Sequence, residues 1–316
     1  MQGSNRALIV GGGTMGFGVA VVLLAGGWRV DVVSPTAATR ESLPKRVMQA
    51  MQRLNKPFDA AALGVHADYA KVPWAEIALV VENVREDLAL KQSVFAELER
   101  SSAPHTILSS NSSSFPISEI GKGLKTQARM MGLHFFMPAY LVPLVEVIRG
   151  EATDTALAEK VGDWMWALGK RPVQVKRDIP GFLGNRMQHA LIREALNLLQ
   201  SGVASAEDID AAIRYSFGFR LAAAGPLLQR EHAGWDMSFA VAQSLYPDLS
   251  NMQTPPPVIE DMVKQGRFGM KSGQGLMAWD ADSIAREKAR YEQALQTVLQ
   301  VFEREGLDGR PKPEVS

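Results

Sequence analysis

The sequence predicts an α/β protein, with a Rossmann-like, doubly wound, mostly parallel sheet followed by an all-α C-terminal domain. Up to about residue 177, short apolar strand-like runs alternate with helical segments, which is the pattern of parallel β-α-β units. Beyond Asp178 only helical segments follow. We therefore expect a sheet domain at 1–178 and a helical domain at 179–316.

The composition fits globular domains and excludes several classes of partner. The chain has 316 residues, 46% of them hydrophobic, which is enough for two cores. Because 34 basic residues balance 34 acidic ones, no net charge favours nucleic acid or an anionic membrane surface. With no cysteine and no i, i+4 pair among five histidines, no metal site is predicted.

A glycine-rich turn near the N-terminus predicts a dinucleotide site. The strand-like run 7–10 is followed by G-x-G-x-x-G and by a helical pattern through Leu24. Such glycines permit a tight turn, so a pyrophosphate can bind the free N–H groups of the helix N-terminus. A glycine-rich packing turn is the alternative. The candidate cofactor-binding residues here are Gly11, Gly13, Thr14, Met15 and Gly16.

The same glycines argue against a membrane segment. Residues 7–27 carry no charge and superficially resemble a signal or membrane-spanning sequence. Their strand-turn-helix pattern favours a folded unit instead. We therefore expect a cytoplasmic protein with no membrane partner.

The second predicted strand, 29–33, bears on the choice of cofactor. Ser34 occupies the place after this strand where an acid normally binds the adenosine ribose. The usual argument for NAD over NADP is therefore missing. Hydroxyl groups with Arg40 nearby can accept a 2′-phosphate, and the alternative is that Arg40 faces solvent. We expect NAD and leave NADP open.

The first domain continues the alternation. We predict a helix at 37–55 disturbed by Pro44, an irregular connection at 57–78, strands at 79–84, 106–111 and 171–177, and helices at 87–100 and 154–169. The strand that begins at Thr106 ends in Asn, Ser and Pro, and such strand ends bind ligands in open α/β sheets. A capped turn before a short helix at Ile117 is the alternative.

Two apolar runs, 131–136 and 144–148, predict neighbouring strands joined by a short loop. This pairing places His134 and Glu146 side by side. A carboxylate bonded to one imidazole nitrogen raises the basicity of the other, as is needed to take a proton from a hydroxyl near neutral pH. A purely structural His–Glu pair is the alternative.

The second domain contains helices only, predicted at 181–201, 206–216, 225–233, 236–246, 257–265 and 282–305. The first is expected to start near Pro180 and to carry Asn185 one turn inside. Apolar stripes on most of these helices exceed what one helical layer can bury, so we expect a homodimer. A monomer with the last helix folded over the stripes is the alternative.

Nine blocks of the sequence carry a resemblance to a known family: VGGGTMGFG, VENVREDLALK, SSNSSSFPISEI, GLHFFMP, PLVEVIRG, DIPGFLGNRM, SAEDIDAAI, GPLLQREHAG and RFGMKSGQGL. In this order and over nearly the whole chain they closely resemble the L-3-hydroxyacyl-CoA dehydrogenase family. The resemblance implies a Rossmann-like domain, a helical domain that builds a dimer, and NAD-dependent oxidation.

The resemblance also implies roles for individual residues. His134 matches the catalytic base and Glu146 its partner. Ser113 matches a hydroxyl that contacts the substrate, and Asn185 a residue of the helical domain that reaches the same site. The positions that match contacts to the dinucleotide are Glu86, Lys91 and Asn111.

Three departures from the family pattern bear on the cofactor site and the substrate. The family motif HFFNP reads HFFMP here, so Met137 cannot supply the amide that normally lies near the nicotinamide. The segment before VENV is shorter than in the acyl-CoA enzymes, where a helical hairpin with basic residues helps hold the CoA nucleotide. A helix also continues past the usual family end, as in L-gulonate and carnitine dehydrogenases, lambda-crystallin and a pyridoxine-degradation dehydrogenase.

These observations predict an oxidoreductase that moves hydride between the nicotinamide and a carbon bearing a hydroxyl β to a carboxyl or thioester. An (S)-3-hydroxyacyl-CoA such as 3-hydroxybutyryl-CoA, with a place in fatty acid metabolism, is placed first because it is the commoner activity of the family. A small hydroxy acid or alcohol without CoA is the alternative that the departures favour. A catalytically silent, crystallin-like protein is a third reading, against which the intact set of site residues argues.

Overall fold

A computed structural model describes residues 5–304 of the chain. The chain divides into two compact units, Met1–Arg186 and Met187–Ser316. The predicted division at residue 178 stays a proposal. Among the described residues, none of the helices combines the length and the apolar character that crossing a bilayer demands.

The first unit contains an eight-stranded sheet. The strands are β1 Arg6–Val10, β2 Arg29–Val33, β3 Leu63–His66, β4 Ile77–Glu82, β5 Ile107–Ser110, β6 Met130–Phe135, β7 Leu144–Arg149 and β8 Arg171–Val175. Their order in the sheet is β3-β2-β1-β4-β5-β6-β7-β8. All neighbouring strands are parallel except β6 and β7, which are antiparallel. This confirms the doubly wound, mostly parallel sheet.

Helices of the first unit cover both faces of the sheet. They are α1 Thr14–Ala25, α2 Ala37–Arg53, α3 Leu88–Ser101, α4 Ile117–Ile120 and α5 Thr155–Ala167. Successive strand residues enter opposite cores, since Ile9 packs in the cluster that includes α1, α2 and α5, while Leu8 packs in the cluster that includes α3 and α4. Burial on both faces explains why these strands are continuous apolar runs in the sequence.

The remaining helices confirm the all-α character predicted for the C-terminal part. They are α6 Gly184–Gln200, α7 Ala206–Tyr215, α8 Phe217–Leu221, α9 Pro226–Ala233, α10 Trp235–Leu245, α11 Pro257–Lys264 and α12 Ala281–Arg304. The short helix α8 was not predicted, because five residues that include a glycine show no helical period.

Three sequence predictions about elements are wrong. The connection 57–78 is not irregular throughout, because it contains β3, which pairs with β2. Helix α2 runs unbroken through Pro44, which forgoes one backbone hydrogen bond while the buried Leu43 and Val47 hold the helix on the sheet. Helix α6 begins at Gly184, so Pro180 lies in the turn before it.

Candidate active site

The glycine turn leaves room for a ligand at one glycine and is closely packed at another. Gly11 has φ +99°, and a Cβ at Gly16 would lie 1.8 Å from the Gly11 carbonyl oxygen. At Gly13, by contrast, an added Cβ would meet no protein atom within 4 Å. Helix α1 opens with Thr14 and Met15, has no side-chain cap, and has no acid in its first turn. The open space and the uncapped N–H groups fit a pyrophosphate.

The end of β2 lies beside this turn. The Ser34 side chain is 4% exposed, and its Cβ is 3.6 Å from the position of a Cβ built on Gly12. The Ser34 N–H donates to the His66 carbonyl at 3.0 Å, which continues the pairing of β2 with β3. Ser34 therefore faces the place where the adenosine ribose lies in this type of fold.

The antiparallel pair β6 and β7 brings the predicted acid–base residues together. His134 and Glu146 are directly opposite in the strand register. The Nδ1 of His134 lies 2.7 Å from Oε2 of Glu146, and its Nε2 lies 3.0 Å from Oγ of Ser113. Asn185 donates from Nδ2 to the Ser113 carbonyl at 3.4 Å. The structure thus assembles four side chains predicted from separate segments.

Backbone amides hold the second oxygen of the Glu146 carboxylate. Its Oε1 accepts hydrogen bonds from the N–H groups of Leu183 at 2.9 Å and Gly184 at 2.8 Å. Burial acts to raise the pKa of Glu146, but the bonds from His134 and the two amides outweigh it and leave this pKa below its ordinary value. The carboxylate is therefore ionised and accepts a hydrogen bond from the N–H group of His134 Nδ1. This leaves His134 Nε2 free to accept a proton.

Aromatic rings enclose the imidazole of His134. Phe136 meets it edge-on with ring centroids 4.6 Å apart, and the Phe182 ring is 5.6 Å away. Phe182 has φ +47° and is buried. Met137, where the family pattern has an asparagine, is 61% exposed. The imidazole is thus packed between two aromatic rings, and the exposed Met137 follows Phe136 in the chain.

Glu86 organises the serine turn that carries Ser113. Its Oε1 accepts from the Ser112 hydroxyl and from the N–H groups of Ser113 and Ser114, the last two at 3.0 Å. Burial acts to raise its pKa, but the serine hydrogen bonds and the charge of Lys91 outweigh burial and lower the pKa to about 2. Glu86 therefore stays ionised and fixes the backbone on which Ser113 stands.

Lys91 lies in a buried cluster rather than on the surface. Its Nζ is 3.0 Å from Oε1 and 3.1 Å from Oε2 of Glu82 and 3.2 Å from Oε2 of Glu86. Ser110 donates its hydroxyl to Oε2 of Glu82 at 2.6 Å. The cluster ties α3 to the carboxyl ends of β4 and β5.

Asn111 ties three strands together with its side-chain amide. Its Nδ2 donates to Oδ1 of Asn83 at 2.8 Å, and its Oδ1 accepts from the Phe135 N–H at 2.8 Å. Direct contact of Glu86, Lys91 and Asn111 with the dinucleotide stays a proposal, since each already has protein partners.

The loop between β6 and β7 rests on a buried lysine that the sequence reading did not single out. Lys170 is 5% exposed, and its Nζ donates to the carbonyls of Ala139 at 2.5 Å and Val142 at 3.0 Å. Burial lowers the pKa of Lys170 to about 8. Glu82, Lys170 and the amides of residues 183 and 184 give no local sequence signal, because their partners are distant along the chain.

Two family models match the chain in succession. The model "3-hydroxyacyl-CoA dehydrogenase, NAD binding domain" matches residues 6–179, and "3-hydroxyacyl-CoA dehydrogenase, C-terminal domain" matches residues 181–279. Helix α12 lies beyond the second match.

The curated relatives include enzymes with and without CoA in their names. The chain is 32% identical over 300 residues to 5-formyl-3-hydroxy-2-methylpyridine 4-carboxylate 5-dehydrogenase of Mesorhizobium japonicum, covering 92% of this chain and 97% of that protein. It is 33% identical over 287 residues to the human mitochondrial hydroxyacyl-coenzyme A dehydrogenase, covering 86% of this chain and 90% of that protein.

Solved structures give the same two groups with different extents of likeness. The pyridine carboxylate dehydrogenase, described as an NAD+ dependent dismutase, superposes with a TM-score of 0.90 at 30% identity and covers 95% of this chain and 99% of its own. The (S)-3-hydroxybutyryl-CoA dehydrogenase of Ralstonia eutropha gives a TM-score of 0.72 at 29% identity and covers 88% of this chain and all of its own.

Proposed function

Since the chain belongs to the 3-hydroxyacyl-CoA dehydrogenase family and is an NAD-dependent dehydrogenase acting on CH–OH groups, we propose that its substrate is a small carboxylate without CoA. The substrate carries a hydroxyl group, or a formyl group that reacts as its hydrate. The observation that supports this most is the likeness to the pyridine carboxylate dehydrogenase over 95% of the chain with a TM-score of 0.90.

The segment between β2 and β4 supports the same substrate class. It contains one α-helix, α2, and then β3 with a short 3-10 helix on either side of it. A helical hairpin in this segment is the feature expected of enzymes that hold the CoA nucleotide. Helix α12 also fits, because the chain continues beyond the family match at residue 279, and the likeness to the dehydrogenase without CoA in its name covers more of the chain.

The site supports base catalysis by His134. Bound NAD supplies the hydride acceptor. His134 Nε2 takes the proton of the substrate hydroxyl while the carbon that bears this hydroxyl loses a hydride to the cofactor. The Glu146 carboxylate stabilises the resulting imidazolium. The Ser113 hydroxyl, 3.0 Å from Nε2, orients the substrate oxygen, and Asn185 holds the Ser113 backbone.

Steady-state kinetics with NAD distinguishes the substrate classes. The panel contains the pyridine carboxylate named above, its hydroxymethyl counterpart, gulonate, carnitine and (S)-3-hydroxybutyryl-CoA. We expect kcat/KM on a free carboxylate to exceed that on the CoA ester by roughly 100-fold. His134→Gln, measured in parallel, must abolish the activity if it belongs to this site. Faster turnover of the CoA ester would refute the proposal.

Turnover of a 3-hydroxyacyl-CoA is the second candidate. The observation that favours it is the 33% identity to the human hydroxyacyl-coenzyme A dehydrogenase over 86% of the chain. A place in fatty acid metabolism would follow from that activity. The same panel tests this candidate, because it compares kcat/KM on the CoA ester with kcat/KM on the free carboxylates.

We further propose that the chain forms a homodimer through its helical unit and acts in the cytoplasm. Among the described residues of that unit, Ile209 is the one large apolar side chain that is buried. Aromatic residues such as Phe219, Phe239 and Tyr215 are at least 65% exposed. An open apolar groove of about 760 Å³ lies among α7, α8, α9 and α12. A second copy of the same surface would cover it. The absence of cysteine fits a reducing compartment.

A further inference from the structure

We propose that the protein binds NADP(H) as well as NAD(H), and that Ser34, Thr36 and Arg40 hold the 2′-phosphate of its adenosine ribose. These residues form the turn between β2 and α2, beside the glycine turn already described. The inference concerns the cofactor and is independent of the proposed substrate.

Ser34 provides a hydroxyl group that has no protein partner. It is 4% exposed, and among the described residues its Oγ makes no hydrogen bond, while its backbone groups bond His66 and Arg40. Its Cβ is 3.6 Å from a Cβ placed on Gly12, so it faces the glycine turn. This hydroxyl still reaches solvent, so a ligand can bond it without displacing a protein group. A ribose hydroxyl or a phosphate oxygen both satisfy it, and an acid at this position would reject the phosphate.

Arg40 provides a positive charge that is held in place by the turn itself. Its Nη1 donates to the carbonyls of Ser34 at 2.8 Å and Pro35 at 2.7 Å. Within the described part of the chain, Nε and Nη2 have no partner and no carboxylate pairs with Arg40. Because the guanidinium is already ordered, less conformational entropy is lost when its free N–H groups bind a phosphate.

The N-terminus of α2 adds to the positive potential of this turn. Its N-cap residue is Thr36, whose hydroxyl does not cap the helix, and the first turn has no acidic residue. The amide groups of this 17-residue helix and the Thr36 hydroxyl thus remain available to an anion.

Acidic side chains on the neighbouring elements have other hydrogen-bond partners or are exposed. Asp31, on β2, is bonded to Arg6 and His66. Asp68, after β3, accepts from the Ala70 N–H at 3.0 Å. Glu41 follows Arg40 on α2 and is exposed. No acid therefore takes the ribose-binding place that Ser34 occupies, within the residues described.

Equilibrium binding tests the proposal without turnover. Titration with NADH and NADPH, followed by the fluorescence of the reduced nicotinamide, gives the ratio of the two Kd values. For the wild type we expect Kd for NADPH to be within about tenfold of Kd for NADH. A larger ratio would overturn the proposal. Competition provides a second measurement, in which 2′,5′-ADP must displace NADH at a concentration within about tenfold of that needed with 5′-AMP, and a larger requirement would also overturn the proposal.

Two variants test Arg40 and Ser34, and a third serves as the control. Arg40→Gln and Ser34→Asp should each raise the Kd ratio of NADPH to NADH by about tenfold or more, because one removes a charge-assisted bond and the other adds a repelling charge. Lys45→Gln removes one positive charge from an exposed position of the same helix and should leave the ratio unchanged. Thermal unfolding confirms that each variant is folded. An unchanged ratio in Arg40→Gln, or an equal rise in Lys45→Gln, would refute the assignment.

Discussion

His134 and Glu146 form a pair whose hydrogen-bond roles are fixed by groups outside the pair. Because two backbone amides donate to Oε1 of Glu146, only Oε2 is left to face the imidazole. An ionised carboxylate there can only accept, so His134 Nδ1 must carry the proton. The tautomer that leaves Nε2 basic is therefore set by the turn that includes Leu183 and Gly184.

Replacing Glu146 by glutamine should reverse that tautomer. The amides of residues 183 and 184 would keep the glutamine carbonyl on their side and turn its NH₂ group toward His134 Nδ1. Nε2 would then carry the proton and could not take one from the substrate. We expect kcat to fall by about 10²- to 10³-fold with NADH affinity unchanged. Glu159→Gln, at an exposed position of α5, is the control. Normal turnover in Glu146→Gln would show that the pair is structural.

The buried Lys170 should make stability depend on pH in the alkaline range. Its pKa is lowered from 10.5 to about 8 by burial, so between these values the unfolded chain binds more protons and the folded state gains stability as pH rises. Relative to Lys170→Met, the wild type should gain about 2 kcal/mol of unfolding free energy from pH 7 to 9.5.

Urea unfolding of both proteins at the two pH values measures this difference. Lys176→Met, which removes an exposed lysine next to β8, controls for the loss of one charge. A wild-type-minus-variant difference that stays constant with pH would contradict the role given to Lys170.

Some of these residues were predictable and others were not. The pairing of His134 with Glu146 follows from the period of two in adjacent strands, which is a local signal. The burial of Lys91 and Lys170 is not predictable in this way, because lysine is usually exposed and its burial depends on acceptors far away in the sequence. The amides that hold Glu146 come from residues 37 and 38 positions later.

At the scale of elements, two glycines of the same turn have different roles, since Gly16 is closely packed and Gly13 borders open space. Gly16→Ala would place a methyl group 1.8 Å from the Gly11 carbonyl and should cost about 3 kcal/mol or more of stability. Gly13→Ala meets no protein atom and should cost less than about 1 kcal/mol. It should nevertheless weaken NADH binding by about tenfold, because its methyl group occupies the space of the pyrophosphate.

Thermal unfolding and NADH titration of the two variants together check this division. Wild-type NADH affinity in Gly13→Ala would show that the pyrophosphate does not pass over Gly13. Wild-type stability in Gly16→Ala would show that the turn relaxes where the structure has it closely packed.

The elements that the sequence did not reveal are short and depend on distant contacts. Strand β3 has four residues, Leu63–His66, each only partly buried, and it lies at the edge of the sheet. It includes Gly64, where a Cβ would come within 2.3 Å of the Asp31 carboxylate, so its glycine reflects a tertiary contact. No alternation of apolar and polar residues marks such a strand, whereas the longer buried strands are evident from their apolar runs.

For the whole molecule, the exposed apolar surface of the helical unit leads to a prediction about mass. Light scattering at micromolar concentration should give about twice the 34.5 kDa of one chain. Phe219→Glu, which places a charge on the rim of the apolar groove, should shift the equilibrium toward one chain. The exposed surface residue Glu159, changed to Gln, should leave the dimer intact. A wild-type mass near 34.5 kDa would refute the dimer.

The antiparallel register of β6 and β7 has a consequence for how this protein can change over evolutionary time. His134 and Glu146 face each other because they are paired residues of a ladder, and a slip of one residue would turn Glu146 to the opposite face of the sheet. A single insertion or deletion inside either strand would therefore separate the two side chains. Apart from Phe136, which packs against the imidazole, the loop 136–143 lies outside the ladder, so a change in its length leaves the register of the two side chains unchanged. Descendants of such a gene can therefore change the length of this loop while inheriting the paired base and carboxylate unchanged.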